Sequence, residues 1–130
     1  MDNEKAVKTE VKKNVDLRNT HTFKIDMKLP SGEEFSGKFT IHRPTIGERI
    51  NIGIIEAQRL GGLVNIDNFV SGLTHMVATL EVIVDDHPIW WKPQELHDVE
   101  VINEVYNKYI EYLNTFSGKP KSEGGGEKAS

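Results

Sequence analysis

Residues 22–42 read TFKIDMKLPSGEEFSGKFTIH, and the spacing of their apolar side chains decides the fold class. Phe23, Ile25, Met27 and Leu29 alternate with Thr22, Lys24, Asp26 and Lys28. Successive side chains of a strand point to opposite faces, so this run predicts a strand with one apolar face and one solvated face. Pro30, Ser31 and Gly32 have the chemistry of a turn. Phe35, Gly37, Phe39 and Ile41 again fall on alternate positions, and the two runs together predict a β-hairpin. A lone hairpin is marginally stable in water. Its apolar face has to be covered, and the rest of the chain offers helices.

The first helix is expected in RPTIGERINIGIIEAQRLGG, residues 43–62. Thr45 followed by Glu48 has the form of a capping box, and Gly61 and Gly62 mark a stop. Ile46, Ile50, Ile54 and Ala57 form one stripe, with Ile52 and Ile55 outside it. Ile50, Ile52 and Ile54 also alternate, so a strand competes here; the capping signals favour the helix. A second helix is expected from Asn65 or Asp67 to the region of Asp85 and Asp86. Its broad apolar face includes Phe69, Val70, Leu73, Met76, Val77 and Leu80, and extends through Ile83 and Val84. Pro93 suits the first turn of a short helix. The last helix is expected to begin at Asp98 as N-cap. There Val99, Ile102, Tyr106, Tyr109, Leu113 and Phe116 repeat at alternating three and four spacings, a heptad-like seam.

These elements predict one α+β domain over residues 21–116: an N-terminal β-hairpin packed with three to four helices. Residues 1–20 are polar, with Val7, Val11 and Val15 spaced four apart, and read as a mobile arm. Residues 117–130, SGKPKSEGGGEKAS, read as a disordered tail. The chain of 130 residues carries a formal net charge of -4, which gives no general attraction to nucleic acid or to anionic membranes. It has no cysteine, so thiolate catalysis, disulfides and cysteine-bound metals are excluded, and a reducing compartment fits. No apolar run approaches membrane-spanning length.

The groups that carry chemistry are sparse. Asp85, Asp86 and His87 adjoin one another, as do His97 and Asp98, but their spacing matches no compact metal motif. A polar helix end followed by a helix cap accounts for them. His42 is expected to be solvated, His75 to be packed or at the surface of its helix, and His21 to lie in the mobile region. There is no GxSxG elbow, and the glycines of RLGGL lack the Gly-Lys-Ser/Thr ending of a phosphate loop. No enzymatic activity, metal or cofactor is expected.

Surfaces remain. The only two tryptophans, Trp90 and Trp91, sit side by side between Pro88 and Pro93. Either one covers the core while its neighbour lies flat on the surface, or one indole anchors a partner, a role in which tryptophan is enriched. Tyr106, Tyr109 and Tyr112, with Leu113 and Phe116, add apolar and aromatic surface to the second alternative. These seven residues are the candidate partner-binding set.

HPIWWKPQELHDVEVINEVYNKYIEYLNTF, residues 87–116, followed by a polar tail, resembles the end of the small tail assembly chaperones of tailed bacteriophages. The resemblance rests on Trp90 or Trp91, on Leu96 with Asp98 at a helix start, on Tyr106 to Tyr112, and on Phe116. It implies a non-enzymatic protein in the cytoplasm of the infected bacterial host. Such a protein binds the tape measure protein, keeps its apolar helices soluble and is absent from the finished tail. It further implies a homo-oligomer and a longer form made by frameshifting, for which the tail would be the join. Two other classes compete: a structural virion protein, such as a head–tail connector or minor tail component, and a small host-directed adaptor.

Overall fold

The computed structural model describes residues 19–62 and 67–117. Strands β1 (Thr20–Lys28) and β2 (Glu34–His42) run antiparallel, with Phe23 opposite Phe39 and Ile25 opposite Gly37. The turn between them closes through the Gly32 N–H to the Leu29 carbonyl (2.8 Å) and the Leu29 N–H to the Glu33 carbonyl (2.9 Å). Gly32 has φ 96°, in the left-handed region that a residue without Cβ adopts freely. A third strand, β3 (Val84–Asp86), adds to the other side of β2, giving the order β1-β2-β3 with a bulge at Thr40/Ile41. Sequence predicts the end of a helix there; a three-residue strand is too short to show alternation.

Helix α1 (Ile46–Leu60) starts at the capping box: Thr45 Oγ1 accepts from Glu48 N–H (3.1 Å), and Glu48 Oε1 accepts from Thr45 N–H (2.9 Å). It ends at Gly61 in the αL conformation. Helix α2 (Asn68–Ile83) begins at Asp67, whose carboxylate takes the Phe69 N–H at 2.8 Å. Asn65 lies outside the described residues. A 3-10 turn (Pro93–Glu95) precedes α3 (Val99–Asn114), where Asp98 is the N-cap residue but its side chain makes no cap hydrogen bond.

Helices and strands share one core. Phe39 and Ile41 from the sheet, Leu80 and Ile83 from α2, and Val101 and Val105 from α3 are fully buried. The expected mobile arm, up to residue 18, and the expected tail, from residue 118, lie outside the described residues. His21, expected in the mobile region, is instead part of β1 and stacks on Tyr112 at 5.1 Å.

Three helix faces differ from expectation, and on α2 the first turn of the expected apolar face is open, with Phe69 60% and Val70 43% exposed. On α1 the predicted stripe points outward: Ile46, Ile50 and Ile54 are 78%, 61% and 50% exposed, while Ile52 is buried. At about 100° per residue, Ile52 shares its side of the helix with Glu48, Glu56 and Arg59. Each of these side chains finds a polar partner: His42 for Glu48, His75 for Glu56 and Glu81 for Arg59. Turning the isoleucines inward would break all three pairs. On α3 the buried set is Val101, Ile102, Val105, Tyr109 and Tyr112, so the predicted seam is rotated. Val99, Tyr106, Leu113 and Phe116 fall at its half-buried edge.

Candidate partner-binding groove between α1 and α3

Helix α1 packs mainly on α2 and barely touches α3. The gap is a groove with a cavity of about 270 Å³, whose walls are Arg49, Gly53 and Glu56 from α1 and Tyr106, Tyr109 and Leu113 from α3. Ile52, His75 and Thr79 also line it. A Cβ placed on Gly53 would meet nothing within 4 Å, so this wall is open.

The polar groups of the groove are held. His75 Nδ1 pairs with Glu56 Oε2 at 2.6 Å, and the imidazole lies edge-on to Tyr106 with centroids 6.3 Å apart. Thr79 Oγ1 donates back to the His75 carbonyl at 2.7 Å. Burial pushes the Tyr106 phenol above its ordinary pKa, and the negative charge of Glu56 adds to the effect. Burial also raises Tyr109; Arg49 opposes that shift and Tyr106 reinforces it. Both phenols therefore stay protonated at neutral pH and keep an O–H to donate. The two rings lie 5.7 Å apart and tilted. The result is an aromatic and aliphatic recess with a few oriented polar groups at its rim, the usual form of a docking pocket.

The seven candidate residues divide. Tyr106, Tyr109 and Leu113 line the groove. Trp91 is 4% exposed and packs edge-on against Phe39 at 5.1 Å; its surface is used by the core and is not free for a partner. Tyr109 and Tyr112 are buried as well: Tyr109 shows an edge to the recess, and Tyr112 lines a separate surface cavity of about 480 Å³ with His21, Glu111 and Thr115. Trp90 is half-buried: it stands edge-on to Phe35 and Phe39, and its Nε1–H donates to the Ser36 carbonyl at 3.0 Å. Phe116 is covered on one side by the Arg43 guanidinium, 4.1 Å from the ring centroid. The structure thus brings three candidates to one groove and places the Trp pair on the sheet.

Sequence reasoning missed Arg49, Gly53 and Glu56, which recur at helical spacing beside Ile52 and were hidden behind the more conspicuous isoleucine stripe. It also misplaced His42. Instead of being solvated, His42 is partly buried, with Nδ1 2.9 Å from both Asp85 oxygens and Nε2 3.0–3.1 Å from both Glu48 oxygens. Burial disfavours its charge, but the hydrogen bonds and charges of Asp85 and Glu48 outweigh that and raise its pKa.

Among the described residues no group of three His, Cys, Asp or Glu side chains is arranged to hold a metal, and no helix is long and apolar enough to cross a membrane. Asp85 is engaged by His42, Asp86 pairs with Thr40 in the sheet, and the His87 ring nitrogen bonds the Pro88 carbonyl. No protein-family model, no curated protein and no solved structure matches the chain.

Proposed function

We propose that this protein is a non-enzymatic chaperone that binds an apolar helix of a larger client, and that the client is the tape measure protein of a tailed bacteriophage. The observation that supports helix binding is the open groove between α1 and α3. Its recess of about 270 Å³ has room for an apolar side chain projecting from a client helix. Tyr106 and Tyr109 supply broad contact surface at low cost in side-chain entropy. Arg49 and the Glu56–His75 pair supply polar contacts at the rim. Helix-in-groove recognition reads a few such anchors along one helix face. The choice of client rests on the resemblance of residues 87–116 to tail assembly chaperones.

The test is co-expression with tape measure fragments, scored by the fraction of fragment that stays soluble. Wild type is expected to raise that fraction. Leu113→Glu, which puts a charge at the rim, and Gly53→Phe, which fills the open wall, are expected to lose the effect while circular dichroism stays unchanged. If wild type solubilises no fragment, the client assignment fails. If both variants work as well as wild type, the groove is not the site.

A further inference from the structure

Three large side chains on the outer face of α1 are bare: Ile46, Ile50 and Ile54 are 78%, 61% and 50% exposed. Gly47, Asn51 and Ala57 lie beside them, also exposed, and none of the six is charged. A solvent-facing helix surface ordinarily carries charged or polar side chains. The isoleucines recur every four residues, which sets them in a row about 12 Å long. The chain before β1 has a row of the same period and length, made by Val7, Val11 and Val15. Residues 1–18 lie outside the described residues, but the point at which they join the fold is fixed. The Asn19 carbonyl accepts the Arg43 N–H at 2.8 Å, and Thr20 pairs with His42. The segment therefore enters the domain beside Arg43, just ahead of the start of α1 at Ile46.

We infer that residues 5–17 of the same chain fold as a helix on this face, antiparallel to α1, with Val15, Val11 and Val7 over Ile46, Ile50 and Ile54. The point of entry sets the direction. Val15 lies just before Asn19 in the chain and Ile46 just after Arg43, so the two rows start level. Traced back from Asn19, the segment then runs from the start of α1 towards its end. Charge agrees with this direction. An antiparallel pair of helices has an approximate two-fold axis between them, so the residues that precede the stripe positions face one another, and those that follow do likewise. Glu10 then comes to the side of Arg49, which pairs with no carboxylate among the described residues. The offset between them is about 3 Å along the axis, within reach of two long side chains. Lys8 and Lys12 fall on the side of Gly47 and Asn51, where there is no charge to repel them. A parallel arrangement would set these lysines against Arg49. Within the segment, Glu4–Lys8 and Lys12–Asp16 are opposite charges four residues apart, which suits a helix. A helix of this length is marginal in water by itself. The isoleucines supply the apolar surface that its valines lack, and the valines cover what α1 leaves bare. The cavity beside Tyr112 is also close to the point of entry, but its lining of His21, Glu111, Tyr112 and Thr115 offers no aliphatic row. The inference does not rest on the client reading, because this face and the groove lie on different sides of α1.

Backbone NMR of the full chain tests it. Residues 5–17 are expected to show helical Cα shifts in wild type and to lose them in Ile50→Glu, while the amide signals of the sheet stay in place. That loss reads contact, because Ile50 lies outside the segment. Position is read by disulfide formation, free of background because the chain has no native cysteine. Val11→Cys with Ile50→Cys should close a disulfide within one chain. It should do so faster than Val11→Cys with Glu111→Cys, which puts the second thiol at the Tyr112 cavity. A wild type without helical shifts in this segment overturns the inference, as do shifts that Ile50→Glu leaves intact. A faster disulfide with Glu111→Cys also overturns it and moves the segment to α3. A disulfide that joins two chains instead overturns it as well and gives the face to a second copy.

Discussion

At the scale of the residue, the Trp pair shows where a rule of regular structure stops applying. Neighbouring side chains of a strand or helix do not share a direction. Trp90 and Trp91 nevertheless both pack on Phe39, with centroids 5.9 Å and 5.1 Å away. They lie in a turn, closed by the Trp91 N–H to the Pro88 carbonyl at 3.0 Å. The side chain thrown outward is that of Ile89, 90% exposed. This turn crosses the sheet at Gly37, where an added Cβ would sit inside the radius of the Pro88 ring. Gly37→Ala is expected to cost about 1–3 kcal/mol by overpacking. Trp91→Ala should cost about 3–5 kcal/mol, as expected for loss of a core tryptophan. Trp90→Ala should cost less, because part of that indole is already in water. Urea denaturation of the three variants checks the order. A larger loss from Trp90 than from Trp91 would contradict the assignment of Trp91 to the core.

At the scale of the element, α1 is oriented by charge. It buries one isoleucine, Ile52, and is tied down through Glu48, Glu56 and Arg59. The His42 clasp is the clearest of these ties. Only the imidazolium can donate from both ring nitrogens, to Asp85 on one side and Glu48 on the other. From β1, uncharged Thr20 faces His42 across the ladder, and the Arg43 guanidinium is directed to Phe116. The folded pKa of His42 lies above 6.5, so its contribution is complete below that pH and is lost as pH rises through the folded value. Glu48 is shifted the other way, first by the Thr45 N–H and then by His42, so its contribution is present above pH 4.5 and is lost as pH falls through its lowered pKa. Urea midpoints across pH should therefore decline on both sides, and His42→Gln should flatten the decline above pH 6.5. Superimposable profiles of the two proteins on that side would contradict the clasp. This tie could not be read from sequence, since Asp85 is 43 residues from His42. What could be read was local: the alternation of Phe23 and Ile25, the capping box at Thr45 and Glu48, and the glycine stop at Gly61. What could not was which face of a helix meets which neighbour. The isoleucine stripe of α1 was visible, but its direction depended on three remote partners, His42, His75 and Glu81. The three-residue strand Val84–Asp86 had too few side chains to declare itself.

At the scale of the whole molecule, the sheet and α3 form the buried body, and α2 connects it to α1. Helix α1 therefore presents two surfaces, a groove towards α3 and an uncharged face towards solvent. Of the groove, Tyr106, Tyr109 and Leu113 were legible as an aromatic and apolar run on one helix. Arg49, Gly53 and Glu56 became meaningful only once the fold set them opposite. The measurement that tests the groove most directly is amide hydrogen exchange of the full chain, with and without a tape measure helix. Protection is expected to rise over residues 49–56 of α1 and 106–113 of α3, and to stay unchanged over the sheet. Protection that rises elsewhere while these two segments stay unchanged would contradict the account.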